Sequence, residues 1–266
     1  MTPEQYNEAA ETLFQAEATG QQCGLLSLRY PGMTLDDAYA VQSRLIARKL
    51  ASGRRKIGWK IGLTSRAMQD ALKIDTPDSG VLLDDMLFET AATVPAGRFI
   101  QPRIEAEIAF VMKAPLAGAD CSRDDVLAAT DYVAPSLEIL DTRVLRADPA
   151  TGQTRVIVDT ISDNAANAGI VLGAERHPAD AIDLRWVGAI VSRDDVVEET
   201  GLGAGVLNDP VTSVLWLARR MADYGQQIEA GDIVLSGSFI RPIEAPPGSR
   251  IAADFGPFGS VHITFA

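Results

Sequence analysis

Arg103-Ile104-Glu105-Ala106-Glu107-Ile108-Ala109-Phe110 alternates strictly between two characters, and a period of two is the pattern of a β-strand. Ile104, Ala106, Ile108 and Phe110 make an apolar face; Arg103, Glu105, Glu107 and Ala109 make the other. The two glutamates therefore stand side by side, roughly 7 Å apart along the strand. Like charges that close repel unless something compensates them. A solvated outer face is one compensation, and a hard cation bound by oxygen ligands is another. The pair alone does not choose between them.

A second strand-like run, residues 132–140, sharpens the choice. Glu138 lies there among apolar residues, and an isolated buried carboxylate is expensive. Three carboxylates, Glu105, Glu107 and Glu138, converging on one cation would resolve that cost. Three oxygen ligands suit Mg²⁺, with Mn²⁺ as the other choice, and do not suit structural zinc. Upstream, Ile57-Gly58-Trp59-Lys60-Ile61-Gly62 alternates as well. Ile57, Trp59 and Ile61 take one face and Lys60 the other, between two glycines that clear space around an ammonium or let a ligand approach. An edge lysine snorkelling beside packing glycines is the plainer alternative. Residues 64–83 then combine a short helix, 65–72, with the turn-rich Asp75-Thr76-Pro77-Asp78-Ser79-Gly80. This is either a surface excursion or a cover over a site. Asp78 is a candidate acid or base there, with Asp84 and Asp85 as competitors.

The remainder is read more coarsely. Residues 3–18 and 35–50 have amphipathic helical spacing, with Thr34 as N-cap and Gly53 as stop. Beyond residue 55, apolar or alternating runs at 57–63, 104–112, 132–140, 184–191, 233–235, 249–254 and 260–265 outnumber the helical patterns 65–72, 123–129 and 210–224. Most are not separated by helices, which favours an α+β fold over a doubly wound one. We expect residues 1–54 to be an N-terminal helical segment packed on a catalytic domain of residues 55–266. The 148–154 stretch is expected to be an exposed loop.

A chain of 266 residues can bury a core without staples. Its net charge of −12 argues against nonspecific nucleic-acid binding. No apolar run is long enough for a membrane span, and the polar, acidic first twenty residues do not read as a signal peptide. Cys23 and Cys121 form neither a metal cluster nor a disulfide framework, so a cytoplasmic location is expected. The two histidines, His177 and His262, lie in no nucleophile elbow or zinc motif. Proton chemistry then falls to Lys, Asp, Glu or Tyr.

Taken together, GWKIGLTSRAMQ (58–69), PDSGVLLDDM (77–86), PRIEAEIAFV (102–111), DYVAPSLEILDTR (131–143), DTISDNAANAGIVLG (159–173), GAGVLNDP (203–210) and the tail from GDIVLSGSFIRP to FGSVHITF resemble the fumarylacetoacetate hydrolase superfamily. The resemblance is to its 2-keto-4-pentenoate hydratase / 4-oxalocrotonate decarboxylase branch and covers nearly the whole chain. Within that branch, residues 143–156 and 159–173 look most like the 2-oxohept-4-ene-1,7-dioate hydratases of homoprotocatechuate degradation.

The resemblance implies a mixed β-roll or sandwich core with peripheral helices, and a homo-oligomer, pentameric or decameric. It implies metal ligation by Glu105, Glu107 and Glu138, an active-site lysine at Lys60 and proton handling by Asp78. The implied substrate is a small 2-oxo-acid, hydrated with Mg²⁺ as cofactor. A seven-carbon diacid also needs a cation for its far carboxylate. Arg143 and Arg155 are the candidates, and Asn164, Asn167 and Ser238 are candidate pocket residues. Decarboxylation on the same scaffold is the nearest rival. Hydrolytic C–C cleavage usually employs a His-Glu pair, and no histidine precedes residue 177. A non-catalytic metal-binding scaffold is the rival of another class.

Overall fold

The computed structural model describes residues 1–66, 69, 70, 74 and 76–266. The expected helix at 65–72 and the expected cover at 64–83 lie partly outside the described residues. The helices are α1 (Pro3–Thr19), α2 (Leu26–Arg29), α3 (Leu35–Ala51), α4 (Arg123–Ala129), α5 (Ile157–Ser162) and α6 (Pro210–Asp223). The strands are β1 (Lys56–Gly62), β2 (Asp78–Leu83), β3 (Leu87–Glu89), β4 (Thr93–Val94), β5 (Arg103–Met112), β6 (Thr130–Leu140), β7 (Asn167–Leu172), β8 (Gly188–Arg193), β9 (Val196–Leu202), β10 (Ile233–Leu235), β11 (Ile243–Glu244), β12 (Arg250–Asp254) and β13 (Ser260–Phe265).

Two mixed sheets form the core. The larger runs β2-β1-β10-β5-β6-β7-β3, with β11 also on β5, and the smaller runs β4-β13-β12-β8-β9. Its apolar alternation turns Ile104, Ala106, Ile108 and Phe110 of β5 toward Val191, Ile251, Val261 and Ile263 of the second sheet, all buried in one cluster. Val211, Val214, Leu217 and Met221 of α6 close the same cluster. The opposite face of β5 is thereby left for the charged residues. This α+β architecture is the one expected.

The N-terminal helices are defined by their caps. Thr2 with Gln5 and Thr34 with Asp37 each form a reciprocal capping box, so orphan amides at both helix starts are satisfied. Leu13 of α1 and Val41 and Leu45 of α3 pack with Val144. Backbone bonds between Cys23 and residues 143 and 145, at 2.8 and 2.9 Å, tie this layer to the loop after β6.

Two local expectations need correction. Ile57 does not share a face with Trp59 and Ile61. A bulge between Lys56 and Gly58 shifts the register and sends Ile57 to the cluster of Leu82, Ala109 and Ile233. The run at 184–191 is not one strand. Asp183 caps Arg185 N at 3.2 Å, Leu184–Trp186 coils as a 3₁₀ turn, and β8 begins only at Gly188. His177 is structural: its ring stacks on Phe258 at 4.7 Å and bonds the Phe258 carbonyl at 2.9 Å.

Candidate metal centre

The antiparallel pairing of β5 with β6 sets Glu105 opposite Glu138 and Glu107 opposite Ser136. Directly opposed side chains share a face, so three carboxylates meet on the side of the sheet away from the core. Ligand oxygens of Glu105, Glu107 and Glu138 all lie within 4.8 Å of one another. Glu107 and Glu138 are fully buried, and Glu105 keeps partial access to solvent.

Each buried carboxylate is anchored by one oxygen. Glu107 Oε2 accepts the Gly237 amide at 2.7 Å, and Glu138 Oε1 accepts Asn167 Nδ2 at 2.7 Å. Glu107 Oε1 and Glu138 Oε2 are buried with no hydrogen-bond partner among the described residues. Buried carboxylate oxygens rarely go unsatisfied. An all-oxygen donor set with two orphaned atoms fits a hard divalent cation. Electrostatics agree: burial, then the Glu138 charge, push Glu105 up to about 8, and burial with both neighbouring carboxylates pushes Glu107 well above the usual range.

Lys60 of β1 reaches over this cluster. Its Nζ donates to the Ala165 carbonyl at 3.1 Å and lies 3.4 Å from Glu138 Oε1. Burial works against its charge, but Glu138, Asp78, Glu105 and Glu107 outweigh it, so the ammonium is held above its ordinary value. Asp78 opens β2 opposite Gly62. A Cβ on Gly62 would stand 2.2 Å from Asp78 Oδ1 and 2.9 Å from Lys60 Nζ, so a residue without a side chain is required where these two groups meet. Gly58, the other flanking glycine, instead admits the backbone of Ile233. Asp78 Oδ1 is also unpartnered among the described residues, and burial raises its carboxyl despite the opposing Lys60 charge.

The acceptor of Lys60 sits in a strained turn. Asn164, Ala165 and Ala166 have φ of 53°, 52° and 60°, a left-handed run costing roughly 1–2 kcal/mol per residue. Strain of this kind persists only where its surroundings enforce it. The Asn164 side chain clamps both Val81 N and Val81 O, at 2.8 and 2.9 Å. Arg143 holds Asp163 through Nε–Oδ1 at 2.6 Å and Nη2–O at 2.7 Å.

These contacts revise several expected roles. Arg143 is a buried strut rather than a free anchor for a distal carboxylate, because Asp163 and the Asn167 carbonyl take its Nε and Nη2 and the side chain is 2% exposed. Asn164 is likewise a clamp and not a pocket residue. Ser238 is a turn residue, its Oγ bonded to Ile240 O and Ile240 N. Arg155 is half-buried and donates to Thr142 Oγ1 at 2.5 Å. Asn167 does reach the centre, where it orients Glu138. Asp84 and Asp85 pair with Arg55 and Arg54, which leaves Asp78 as the aspartate beside Lys60. Reading by residue type misses the Gly237 amide and the Ala165 carbonyl, since both act through backbone atoms.

A wide concavity, about 870 Å³, lies elsewhere. It lies on the second sheet between Trp186, Ile190, Leu202 and Phe255 and includes none of the carboxylates. No helix among the described residues is long and apolar enough to cross a membrane.

No family model matches the chain. Among curated proteins, the 2-oxo-hept-4-ene-1,7-dioate hydratase of Escherichia coli is 50% identical over 256 residues, 96% of each chain. Among solved structures, 4-oxalocrotonate decarboxylase from Pseudomonas putida G7, complexed with magnesium and adipate, is 34% identical. It superposes with a TM-score of 0.93 over 100% of this chain and 99% of its own. The same enzyme complexed with calcium and acetate gives a TM-score of 0.92. Fumarylacetoacetate hydrolase from Exiguobacterium antarcticum, 14% identical, shares the fold alone, with a TM-score of 0.59 over 79% of this chain and 74% of its own.

Proposed function

Because the chain belongs to the 2-keto-4-pentenoate hydratase / 4-oxalocrotonate decarboxylase branch of the fumarylacetoacetate hydrolase superfamily, we propose that it is a divalent-metal-dependent hydro-lyase. Its substrate on this reading is a 2-hydroxy-diene or 2-oxo-ene dicarboxylate, 2-oxohept-4-ene-1,7-dioate, and its product 4-hydroxy-2-oxoheptanedioate. Such a reaction belongs to meta-cleavage degradation of an aromatic acid. The observation that carries the proposal is the trio of converging carboxylates with two orphaned oxygens, set beside a buried Lys60 and Asp78.

A divalent cation in this centre, Mg²⁺ in our reading, supplies Lewis acidity and a template for the substrate C1 carboxylate and C2 oxygen. Lys60 faces the same end of the substrate, and its ammonium stabilises the negative charge that develops on the C2 oxygen. From the 2-hydroxy-diene form, Asp78, whose carboxyl burial raises above its ordinary value, delivers a proton to C5 as the C2 hydroxyl gives up its own and the C2 ketone forms. Its carboxylate then takes a proton from the water that adds at C4, and the resulting enolate takes back at C3 the proton that the C2 hydroxyl released, which restores the C2 ketone. The Gly237 amide and the Asn167 side chain fix Glu107 and Glu138 without consuming their second oxygens. Catalytic hydration of purified protein with Mg²⁺ is tested on the seven-carbon dienol by ultraviolet absorbance. Loss of diene absorbance without CO₂ release is the expected result. Stoichiometric CO₂ would assign the decarboxylase activity instead, and no turnover of any dienol would favour a scaffold.

Cation binding is also expected to release protons. Glu105, pushed up to about 8, holds a proton near pH 7 in the metal-free protein, and burial with the neighbouring carboxylates moves Glu107 in the same direction. Ligation needs them ionised. Affinity for Mg²⁺ should therefore rise with pH through about 8 and flatten once Glu105 and Glu107 are both ionised. Calorimetry in buffers of different ionisation enthalpy measures the released protons, and a pH-independent affinity between 6 and 8 would contradict the site.

We also propose homo-oligomerisation, as a pentamer or decamer, in the cytoplasm. Oligomerisation is supported by apolar side chains on and beside the second sheet, with Trp186 74% and Ile190 50% exposed at the 870 Å³ concavity.

A further inference from the structure

A seven-carbon diacid leaves one carboxylate to be bound away from the metal centre, and Arg143 is committed to Asp163. A different arginine stands beyond Asp78. A cavity of about 100 Å³ has Asp78, Tyr39, Pro77, Ile161 and Arg220 in its wall. Asp78 is thus shared between this cavity and the Lys60 network.

Arg220, on α6, is held by aromatic faces. Its guanidinium carbon lies 4.1 Å from the centre of the Tyr39 ring, 5.2 Å from Tyr224 and 5.7 Å from Trp216. Stacking occupies the flat side of a guanidinium and leaves its in-plane N–H fork for a carboxylate. The same residue borders an outer groove of about 650 Å³, whose lining among the described residues carries Arg66, itself paired with Asp70, together with Arg219, Arg220 and the acid Asp223. In a chain of net charge −12, this is a local reversal of sign. Asp36, at the exposed edge of the inner cavity, is the opposing charge there.

We propose that Arg220 receives the substrate carboxylate distal to the metal, and so selects dicarboxylates over monocarboxylates. The inference rests on the hydratase reading. The groups then follow the order of the substrate: the metal ligands and Lys60 at C1 and C2, Asp78 at C5, Arg220 at C7. C7 lies only two bonds beyond C5, about 2.5 Å, which suits a cation on the wall that Asp78 also lines. The cavity has room for a carboxymethyl group and little more. Burial raises the Asp78 carboxyl, which lessens its repulsion of a second carboxylate beside it.

The test is steady-state kinetics with Mg²⁺ on the seven-carbon diacid dienol and the five-carbon monoacid dienol, for wild type, Arg220→Met and Arg220→Lys. Loss of a charge-assisted fork is expected to raise KM for the diacid roughly 10- to 100-fold in Arg220→Met. KM for the monoacid should move by less than a factor of two, because no contact to it is lost. Arg220→Lys keeps the charge and should recover part of the diacid affinity. An equal rise on both substrates would make Arg220 a packing residue and overturn the proposal, as would no rise on either. If Arg220→Met does not fold, Arg220→Lys carries the same comparison. Wild-type protein that hydrates neither dienol would overturn the hydratase reading itself, an outcome distinct from an unselective variant.

Discussion

Glu107→Gln is expected to lower metal-dependent turnover by about 10³-fold, equivalent to several kcal/mol of lost stabilisation, and to weaken Mg²⁺ binding by at least roughly 10- to 100-fold. The substitution keeps the shape of the side chain. Its amide oxygen can still accept the Gly237 N–H now bonded at 2.7 Å, so the loop after β10 stays in place. What disappears is the charge on Oε1, the buried atom with no partner among the described residues. Removing it also relieves repulsion in the metal-free state, where Glu107 is burdened by burial and by Glu138 and Glu105. The denaturation midpoint of the metal-free variant should hold or rise while activity falls. A simple packing defect would lower both together. Undiminished turnover in the chelator-treated variant would sink the metal model. Titration calorimetry and the dienol assay read the two quantities independently.

Legibility in the sequence followed the physics of exposure. β5 could be read because one face packs on the second sheet and the other bears charge, so its alternation is written in residue types. β2 is buried along its whole length, and β7 almost so. Strands buried on both faces do not alternate, and DSGVLL and NAGIVL pass for loop or turn. β9 failed for the opposite reason: Glu198 and Glu199 on an outer strand carry no apolar signal. Within the site, residue type was enough for the two glutamates of one strand. Their union with Glu138 depends on strand register, which pairing fixes and spacing does not; the family resemblance supplied it. Arg143 was misjudged because a sequence displays a charge without its partner. Asp163, twenty positions on, satisfies it. Gly237 and Ala165 act through backbone atoms, which any residue possesses, so the signal lay only in glycine beside Ser236 and in the left-handed turn at 164–166.

Lys60→Met should produce the opposite effect on the metal and a similar loss of catalysis. The ammonium lies 3.4 Å from Glu138 Oε1 and competes with any cation for that carboxylate. Replacing it by an apolar side chain of similar length removes a positive neighbour, so Mg²⁺ affinity should be retained or increase. Turnover should nevertheless fall by roughly 10²- to 10³-fold, the range for removing one preorganised donor from a developing oxyanion. Asp78 supplies a further readout. Lys60 is the larger of two charges, Arg220 being the other, that hold its carboxyl down against burial, so without it the carboxyl rises further. Proton delivery to C5 needs the protonated carboxyl, so the alkaline limb of the kcat profile should move to higher pH. Glu107→Gln leaves Lys60 beside Asp78 and predicts no such displacement, because the loss there is in cation affinity. A Lys60→Met enzyme with wild-type turnover would reject the role of the ammonium. One that had lost its metal would show instead that Lys60 helps to organise Glu138, through the 3.1 Å bond that ties β1 to the strained Ala165 turn.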